Sequence, residues 1–301
     1  MYDVRSAADL ADKLAATGYL TDEGLATIGF LALRMQRPLM LEGEPGTGKT
    51  ALAEAFAEAL EVGLIRLQCH EGIDASQALY DWDFARQILH LRTVEATRTT
   101  GGIDAQEVEK SLFDERFLLA RPILRALREA PVVLLIDEID RADDEFEAFL
   151  LEVLSTNTVS IPELGVVTAV TPPVVVLTSN RTREVHDALK RRCLYHWIDY
   201  PTMDKEYAIV QARLPGMDTR LARQVVGFVQ RLRQTELTKL PGVAETLDWA
   251  AALVALGAPS LSPEVIDPTL GVLLKYQEDV RAIRGDRAAA YLAEVQAGGS
   301  A

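Results

Sequence analysis

Gly43-Glu44-Pro45-Gly46-Thr47-Gly48-Lys49-Thr50 carries the spacing GxxxxGK[ST], and the residues on either side of it decide the fold. Before it runs a short apolar stretch, Leu39-Met40-Leu41-Glu42, with the spacing of a buried strand. After it, from Lys49 through about residue 61, comes an Ala-rich helical pattern. A strand, a glycine loop and a helix in that order let the backbone N–H groups turn inward, and the helix N-terminus adds partial positive charge, so the segment suits phosphate. The blander reading of the same residues is a glycine loop at an ordinary strand-to-helix junction. Ala51, at the start of the helix, belongs to the same candidate phosphate site.

Working outward, further β-type runs appear at Leu64 to Gln68, Val132 to Ile136 and Val174 to Thr178, with helical patterns between them, notably 49–61 and 143–156. Such alternation predicts an α/β fold: a parallel sheet with helices on both faces. Upstream, Ser6 with Asp9 and then Asp22 mark the starts of two helices, the first ending near Gly18 and the second near Arg34. Two stretches interrupt the alternation. Between Gln68 and Pro131, Trp82/Phe84 and Leu89/Leu91 alternate with polar neighbours on either side of an expected turn, followed by a helical pattern at 104–111. Thr158 to Ile161 and Gly165 to Val170 read as a hairpin, or as a decoration of the sheet edge. Beyond Tyr200-Pro201 the strand signal stops. Helical patterns follow at 204–213, 218–236, 243–256, 269–282 and 285–297, which predicts residues 1–200 as an α/β domain, with insertions at about 70–130 and 157–170, and 201–301 as a small helical lid domain.

With 301 residues, 49% of them hydrophobic and 25% charged, the chain is long enough for two packed units without staples. Its formal net charge of −14 predicts repulsion from nucleic acid and anionic lipid. The two cysteines, Cys69 and Cys193, form no metal-ligand spacing, and the four histidines are scattered. Acidic residues at Asp3, Asp9 and Asp12 and the lack of an 18-residue apolar run predict a cytoplasmic protein with no membrane span.

The strand Val132-Val133-Leu134-Leu135-Ile136 ends in Asp137-Glu138, placing two carboxylates at the C-terminal edge of the sheet, where α/β proteins bind ligands. Beside a phosphate loop, one acid can hold a Mg²⁺ shell and the other can orient an attacking water, roles that fall to Asp137 and Glu138 respectively. Val174-Val175-Val176-Leu177-Thr178-Ser179-Asn180 repeats the pattern with an amide that both donates and accepts, or that simply caps the next turn. Lys190-Arg191-Arg192 is a basic patch in a monomer; in a ring, one of these arginines can reach a neighbour's γ-phosphate.

In this order and spacing, EGEPGTGKT, LLIDEID, VSIPELGVV, VVVLTSN and ALKRRCLYHWIDYP resemble the MoxR branch of AAA+ ATPases, most of all the accessory ATPases of carbon monoxide dehydrogenase and related molybdenum hydroxylases. The resemblance is close from about Arg37 to Pro201 and general beyond. It implies a P-loop core with a helical lid, hydrolysis of Mg-ATP in a ring, usually a hexamer, and a chaperone that matures a client metalloenzyme or helps insert its metal cofactor. It also implies a partner carrying a von Willebrand factor A domain. Carried over by position, it makes Lys49 the ligand of the β/γ-phosphates, Thr50 and Asp137 the Mg²⁺ ligands, Glu138 the base and Asn180 the first sensor. Arg191, or else Arg192, becomes the finger acting across the subunit interface. The inserted segments would face the ring axis or the client. Where relatives carry a second-sensor arginine, Gly242-Val243-Ala244-Glu245-Thr246 places Thr246.

Two other classes share this core. One is a nucleic-acid motor or restriction-type subunit, which the net charge disfavours and salt-sensitive binding to DNA or RNA would reveal. The other is a nucleotide-dependent scaffold with little turnover, which the intact Asp137-Glu138 pair disfavours. Among smaller features, Trp82 and Phe84 are expected to pack within the insertion, and Cys69 to be inert.

Overall fold

In the computed structural model, which describes residues 2–97 and 111–298, five parallel strands form one sheet in the order β2-β5-β8-β1-β9. They are β1 (Leu39–Gly43), β2 (Gly63–Gln68), β5 (Val132–Asp137), β8 (Val174–Ser179) and β9 (Leu194–Ile198). The central strands read as unbroken apolar runs because both faces are covered, and the period-2 alternation divides their side chains between two cores. Met40, Leu134, Ile136, Val175 and Leu177 point to one core. Leu39, Leu41, Val133, Leu135 and Val176 point to the other.

The second of these faces is covered by α1 (Ala7–Ala16), α2 (Glu23–Met35) and α3 (Lys49–Ala59), through Leu10, Leu14, Leu25, Leu33, Leu52 and Phe56. The Ser6 hydroxyl accepts from the Asp9 N–H and the Asp22 carboxylate from the Leu25 N–H, so both starts are capped by side chains. On the first face lie α6 (Pro122–Glu129), α7 (Asp144–Thr156) and α8 (Asp187–Arg192).

Between β2 and α6 come α4 (Ala75–Ala78), β3 (Tyr80–Trp82), α5 (Phe84–Thr97) and β4 (Leu118–Ala120), with β3 and β4 paired antiparallel. Here the structure departs from the sequence reading. Trp82 lies in a strand, but Phe84 opens a helix that includes Leu89 and Leu91, not the second arm of a hairpin. Asp83 decides it: its carboxylate accepts from the Arg86 N–H at 3.0 Å, capping a helix whose apolar positions also fit a 3.6-residue period. Phe84 is 64% exposed and so does not pack within the segment, whereas Trp82 is buried. The helical pattern at 104–111 lies, but for its last residue, outside the described residues. β6 (Thr158–Ile161) and β7 (Gly165–Thr168) pair as an antiparallel hairpin of their own, separate from the five-stranded sheet.

The helical remainder comprises α9 (Met203–Arg213), α10 (Thr219–Arg233), α11 (Val243–Ala255), α12 (Pro263–Leu273), α13 (Gln277–Ile283) and α14 (Asp286–Gly298), around a third core that includes Phe228, Trp249, Ile266 and Leu270. The single helix expected at 269–282 is two helices. Pro263 sits in the first turn of α12, where its missing N–H costs nothing, and the chain becomes extended at Leu274 before α13 begins. Buried beneath α11, the Glu206 carboxylate accepts from both Arg233 Nη atoms at 2.7 Å, from Thr246 Oγ1 at 2.7 Å and from Gln230 Nε2 at 2.8 Å. With every lone pair matched, the pair is tolerated in the core, and removing one partner exposes the cost of the other. Arg233→Met is therefore expected to lower unfolding stability by about 3–5 kcal/mol, measured by urea titration of tryptophan fluorescence.

Candidate nucleotide site

The parallel register brings the C-terminal ends of the strands to one edge: Gln68 lies beside Asp137, and Glu42 lies between Ser179 and Trp197. The loop of residues 43–50 leaves that edge from β1 and enters α3. Gly43 has no room for a side chain, since a Cβ there would stand 2.3 Å from the Ile198 carbonyl oxygen. Lys49 is buried, and its ammonium donates to the Gly43 and Glu44 carbonyls at 2.7 and 2.6 Å, inside the curl of the loop. Burial pulls its pKa down to about 8, against the opposing pull of Glu44, Asp140, Asp137 and Glu138.

Thr50 Oγ1 donates to Asp137 Oδ1 at 3.1 Å, so the hydroxyl and carboxylate expected to hold a metal are adjacent. This donor set of hard oxygens beside a phosphate loop fits Mg²⁺, which takes one or two protein oxygens and completes its shell with water and phosphate. Thr178 Oγ1 donates to the same Asp137 oxygen at 2.5 Å and accepts from the Glu138 N–H at 2.9 Å. Glu138 itself adopts a left-handed backbone with φ 55°, a conformation that costs a non-glycine residue about 1–2 kcal/mol and aims its side chain out of the strand line. Its Oε1 accepts from Asn180 Nδ2 at 3.2 Å, and its Oε2 accepts from Gln68 Nε2 at 3.0 Å.

Several of these partners carry no motif. Arg66 on β2 lies 2.5 Å from Asp137 Oδ2, and Arg141 pairs with Glu138 Oε2 at 2.9 Å. Gln68, Arg66 and Thr178 are ordinary strand residues whose importance comes from register. The available signal was position at a strand's C-terminal end. Asp140, also buried, accepts from the backbone N–H groups of Asn180 and Thr182 at 3.2 and 2.9 Å, fixing the loop that carries the amide.

A cleft of about 910 Å³ opens over these groups. It is lined by residues 45–51 of the loop, by Asp137, Glu138 and Asn180, by Tyr19 and His196, and by Val243, Ala244 and Leu247 of α11. Burial, with Asp22 nearby, raises the Tyr19 phenol above its usual range, and burial lowers the His196 imidazole. The structure thus brings together Pro45 to Ala51, Asp137, Glu138 and Asn180, with Gly43 and Glu44 holding Lys49 from behind. Arg191 and Arg192 stand apart. Neither lines the cleft, and Arg191 is 82% exposed, with its helix neighbour Asp187 at 3.5 Å. Cys69 is buried close to Asp137, and burial pushes its thiol up to about 12, so it stays protonated. Among the described residues no group of three or more His, Cys, Asp or Glu side chains could hold a metal by itself.

The profile of the AAA domain, dynein-related subfamily, matches residues 38–193, more than half of the chain and all of the elements just described from β1 to α8. The chain belongs to this family. An uncharacterized protein of Staphylococcus saprophyticus is 24% identical over 250 residues, which cover 81% of this chain and 86% of that protein. Midasin of Giardia intestinalis is 50% identical over 48 residues, 16% of this chain and 1% of midasin. Among solved structures, the RuvB Holliday junction branch migration motor of Thermotoga maritima aligns with 89% of this chain and 71% of its own, at 14% identity and a TM-score of 0.44. No helix among the described residues is long and apolar enough to cross a membrane.

The AAA-domain site makes a pH prediction through Lys49. A bound phosphate favours the charged ammonium, so the pKa of about 8 rises on binding and a proton is taken up as pH climbs past that value. Nucleotide affinity is expected to be flat at about pH 7 and to fall by up to about ten-fold per unit above pH 8. Titration with a fluorescent ATP analogue across that range, with calorimetry in two buffers of different ionisation enthalpy, measures both the loss and the proton uptake.

Proposed function

We propose that the chain is a MoxR-type AAA+ ATPase that hydrolyses Mg-ATP in a homo-oligomeric ring and remodels or matures a client metalloenzyme. The observation that carries the reading is the placing of Glu138. Asn180 and Gln68 hold its two oxygens beside the phosphate loop, while Lys190, Arg191 and Arg192 of α8 do not line their own cleft. Lys205 and Arg213 already line the cleft, and head-to-tail assembly would add an arginine from α8 of a second copy, which its own α8 does not supply.

In this reading Lys49 leaves the Gly43 and Glu44 carbonyls for the phosphate oxygens, and the loop N–H groups take the rest of the charge. Thr50 and Asp137 hold Mg²⁺, which when bound neutralises charge on the β- and γ-phosphates. Glu138 accepts a proton from a water that Asn180 helps orient; the water oxygen bonds to the γ-phosphorus and the bond to the ADP oxygen breaks. Arg191 of the next subunit, with Arg192 as the other candidate, stabilises the transferring group.

Exposed apolar side chains support a client-directed role: Val166 and Val170 on and beside the β6–β7 hairpin, and Phe84, Ile88 and Leu89 on α5. The client as a molybdenum hydroxylase such as carbon monoxide dehydrogenase, a von Willebrand factor A domain partner and six subunits all rest on the resemblance, and a cytoplasmic setting on the acidic residues near Met1, the two cysteines and the lack of a long apolar run.

The test is the rate of Mg-ATP hydrolysis against protein concentration. The specific rate is expected to rise with concentration and level off as rings fill. Glu138→Gln is expected to bind nucleotide within about two-fold of the parent and to turn over at least about 100-fold more slowly. A rate per subunit independent of concentration, or an active Glu138→Gln, overturns the reading.

A further inference from the structure

Glu42 is the last residue before the phosphate loop, and it is only 2% exposed. Two groups meet its carboxylate: Lys190 Nζ stands 3.1 Å from Oε1, and the Tyr195 hydroxyl donates to Oε2 at 2.9 Å. A buried carboxylate is expensive without a cation; Lys190, its side chain 28% exposed, supplies one to an oxygen that has no hydrogen-bond partner among the described residues, so the contact links α8 to β1 by charge. Lys190 is followed at once by Arg191 and Arg192.

The same short helix is gripped elsewhere. Arg37, in the turn between α2 and β1, donates to the carbonyls of Arg191, Arg192 and Cys193 at 2.8, 3.1 and 3.2 Å, taking up the acceptors that a helix end leaves open. At the start of α8, buried Glu147 accepts from the His186 N–H at 2.7 Å and pairs with Arg183. Neither Glu42 nor Lys190 lines the cleft of its own subunit. On the other side, Glu42 is bonded to Gly43, whose carbonyl holds Lys49.

We infer that Glu42, through Lys190, is a positioning residue for the neighbouring subunit's reaction: it sets the reach of Arg191 across the interface and ties that reach to the state of its own phosphate loop. This rests on the reading of α8 as the source of a finger acting in trans. When nucleotide draws Lys49 away from the Gly43 carbonyl, the residue that feels the change next along the chain is the one clamped to α8. The coupling runs through a side-chain contact between the Glu42 carboxyl and the Lys190 amine, and not through packing alone.

Mixed rings separate this role from a local one. Glu42→Gln keeps the volume and the Tyr195 contact but removes the charge. Alone, it is expected to bind ATP within about two-fold of the parent and to turn over about ten-fold more slowly, a loss typical of a displaced catalytic group. Mixed in equal amounts with Glu138→Gln subunits, which keep an intact α8, it is expected to recover to about a quarter of the parent rate, the chance that an intact site meets an intact finger. Mixed with Arg191→Ala subunits it is expected to recover nothing, because both variants lack the same function.

The opposite pattern, recovery with Arg191→Ala and none with Glu138→Gln, overturns the inference by placing Glu42 in its own site; so does parental turnover of Glu42→Gln alone. Lys190→Gln breaks the same pair without altering β1, and it must give the same pattern, which keeps the test intact if Glu42→Gln does not fold. Should neither Arg191→Ala nor Arg192→Ala recover with Glu138→Gln, the finger in trans is wrong and the role of Glu42 falls with it. Recovery of an arginine variant without recovery of Glu42→Gln condemns Glu42 alone.

Discussion

The Thr178 hydroxyl holds the site together. It donates to Asp137 and accepts from the N–H of Glu138, so one side chain on β8 fixes the Asp137 carboxylate and the backbone of Glu138 just past the end of β5, its neighbour in the sheet. Asp137 in turn accepts from Thr50 at the start of α3, joining the phosphate loop to the same bond. This geometry requires β1, β5 and β8 to end level at one edge. That in turn depends on apolar runs that bury both faces of the sheet, since a slip of one residue would exchange the side chains of the two cores.

How much of this was legible follows from what each signal measures. The phosphate loop, the acids after Ile136 and the amide after Ser179 were legible because chain neighbours define them. The strands were legible because parallel, doubly covered strands read as continuous apolar runs. Phe84 to Thr97 was misread, since four alternating positions fit a strand and a helix alike and only the Asp83 cap decides between them. Arg66, Gln68 and Thr178 were silent because their meaning lies in register between strands distant in sequence, and Arg141 because its pairing with Glu138, three residues back, depends on the turn that follows β5.

Thr246 illustrates a substitution that becomes intelligible only in three dimensions. Where the resemblance leads one to look for an arginine facing nucleotide, this side chain turns inward to the buried Glu206–Arg233 pair and away from the cleft. The helical region meets the phosphate loop by other means: the N–H groups of Val243 and Ala244 both donate to the Gly46 carbonyl, at 2.8 and 3.2 Å. Gly46 and Gly242 make this approach possible, as a Cβ on Gly242 would lie 2.8 Å from the Gly46 Cα. A helix N-terminus thus rests against the loop through two backbone hydrogen bonds, with the Glu245 carboxylate, which accepts from the Gly242 N–H at 3.0 Å, at the same junction, so the position of α11 and the conformation of the loop are coupled without an arginine.

Lys49, Asp137 and Glu138 each already have partners at this edge. Lys49 is bound to carbonyls, Asp137 to Arg66 and two hydroxyls, and Glu138 to Arg141, Gln68 and Asn180. Binding is therefore an exchange: the gain from each phosphate contact is reduced by the contact it replaces, and affinity is a difference between two satisfied states. The same logic separates binding from turnover. Lys49 needs only a better acceptor than a carbonyl, and ATP supplies it within one subunit. On the proposed reading, Glu138 would leave Arg141 for water as a cation approached the γ-phosphate; among the α8 cations, Lys190 stands against Glu42 and Arg191 is 82% exposed. Under the proposed head-to-tail assembly, turnover would therefore depend on a second copy more than binding does, since the exchange at Lys49 is made within one chain while the arginine comes from another.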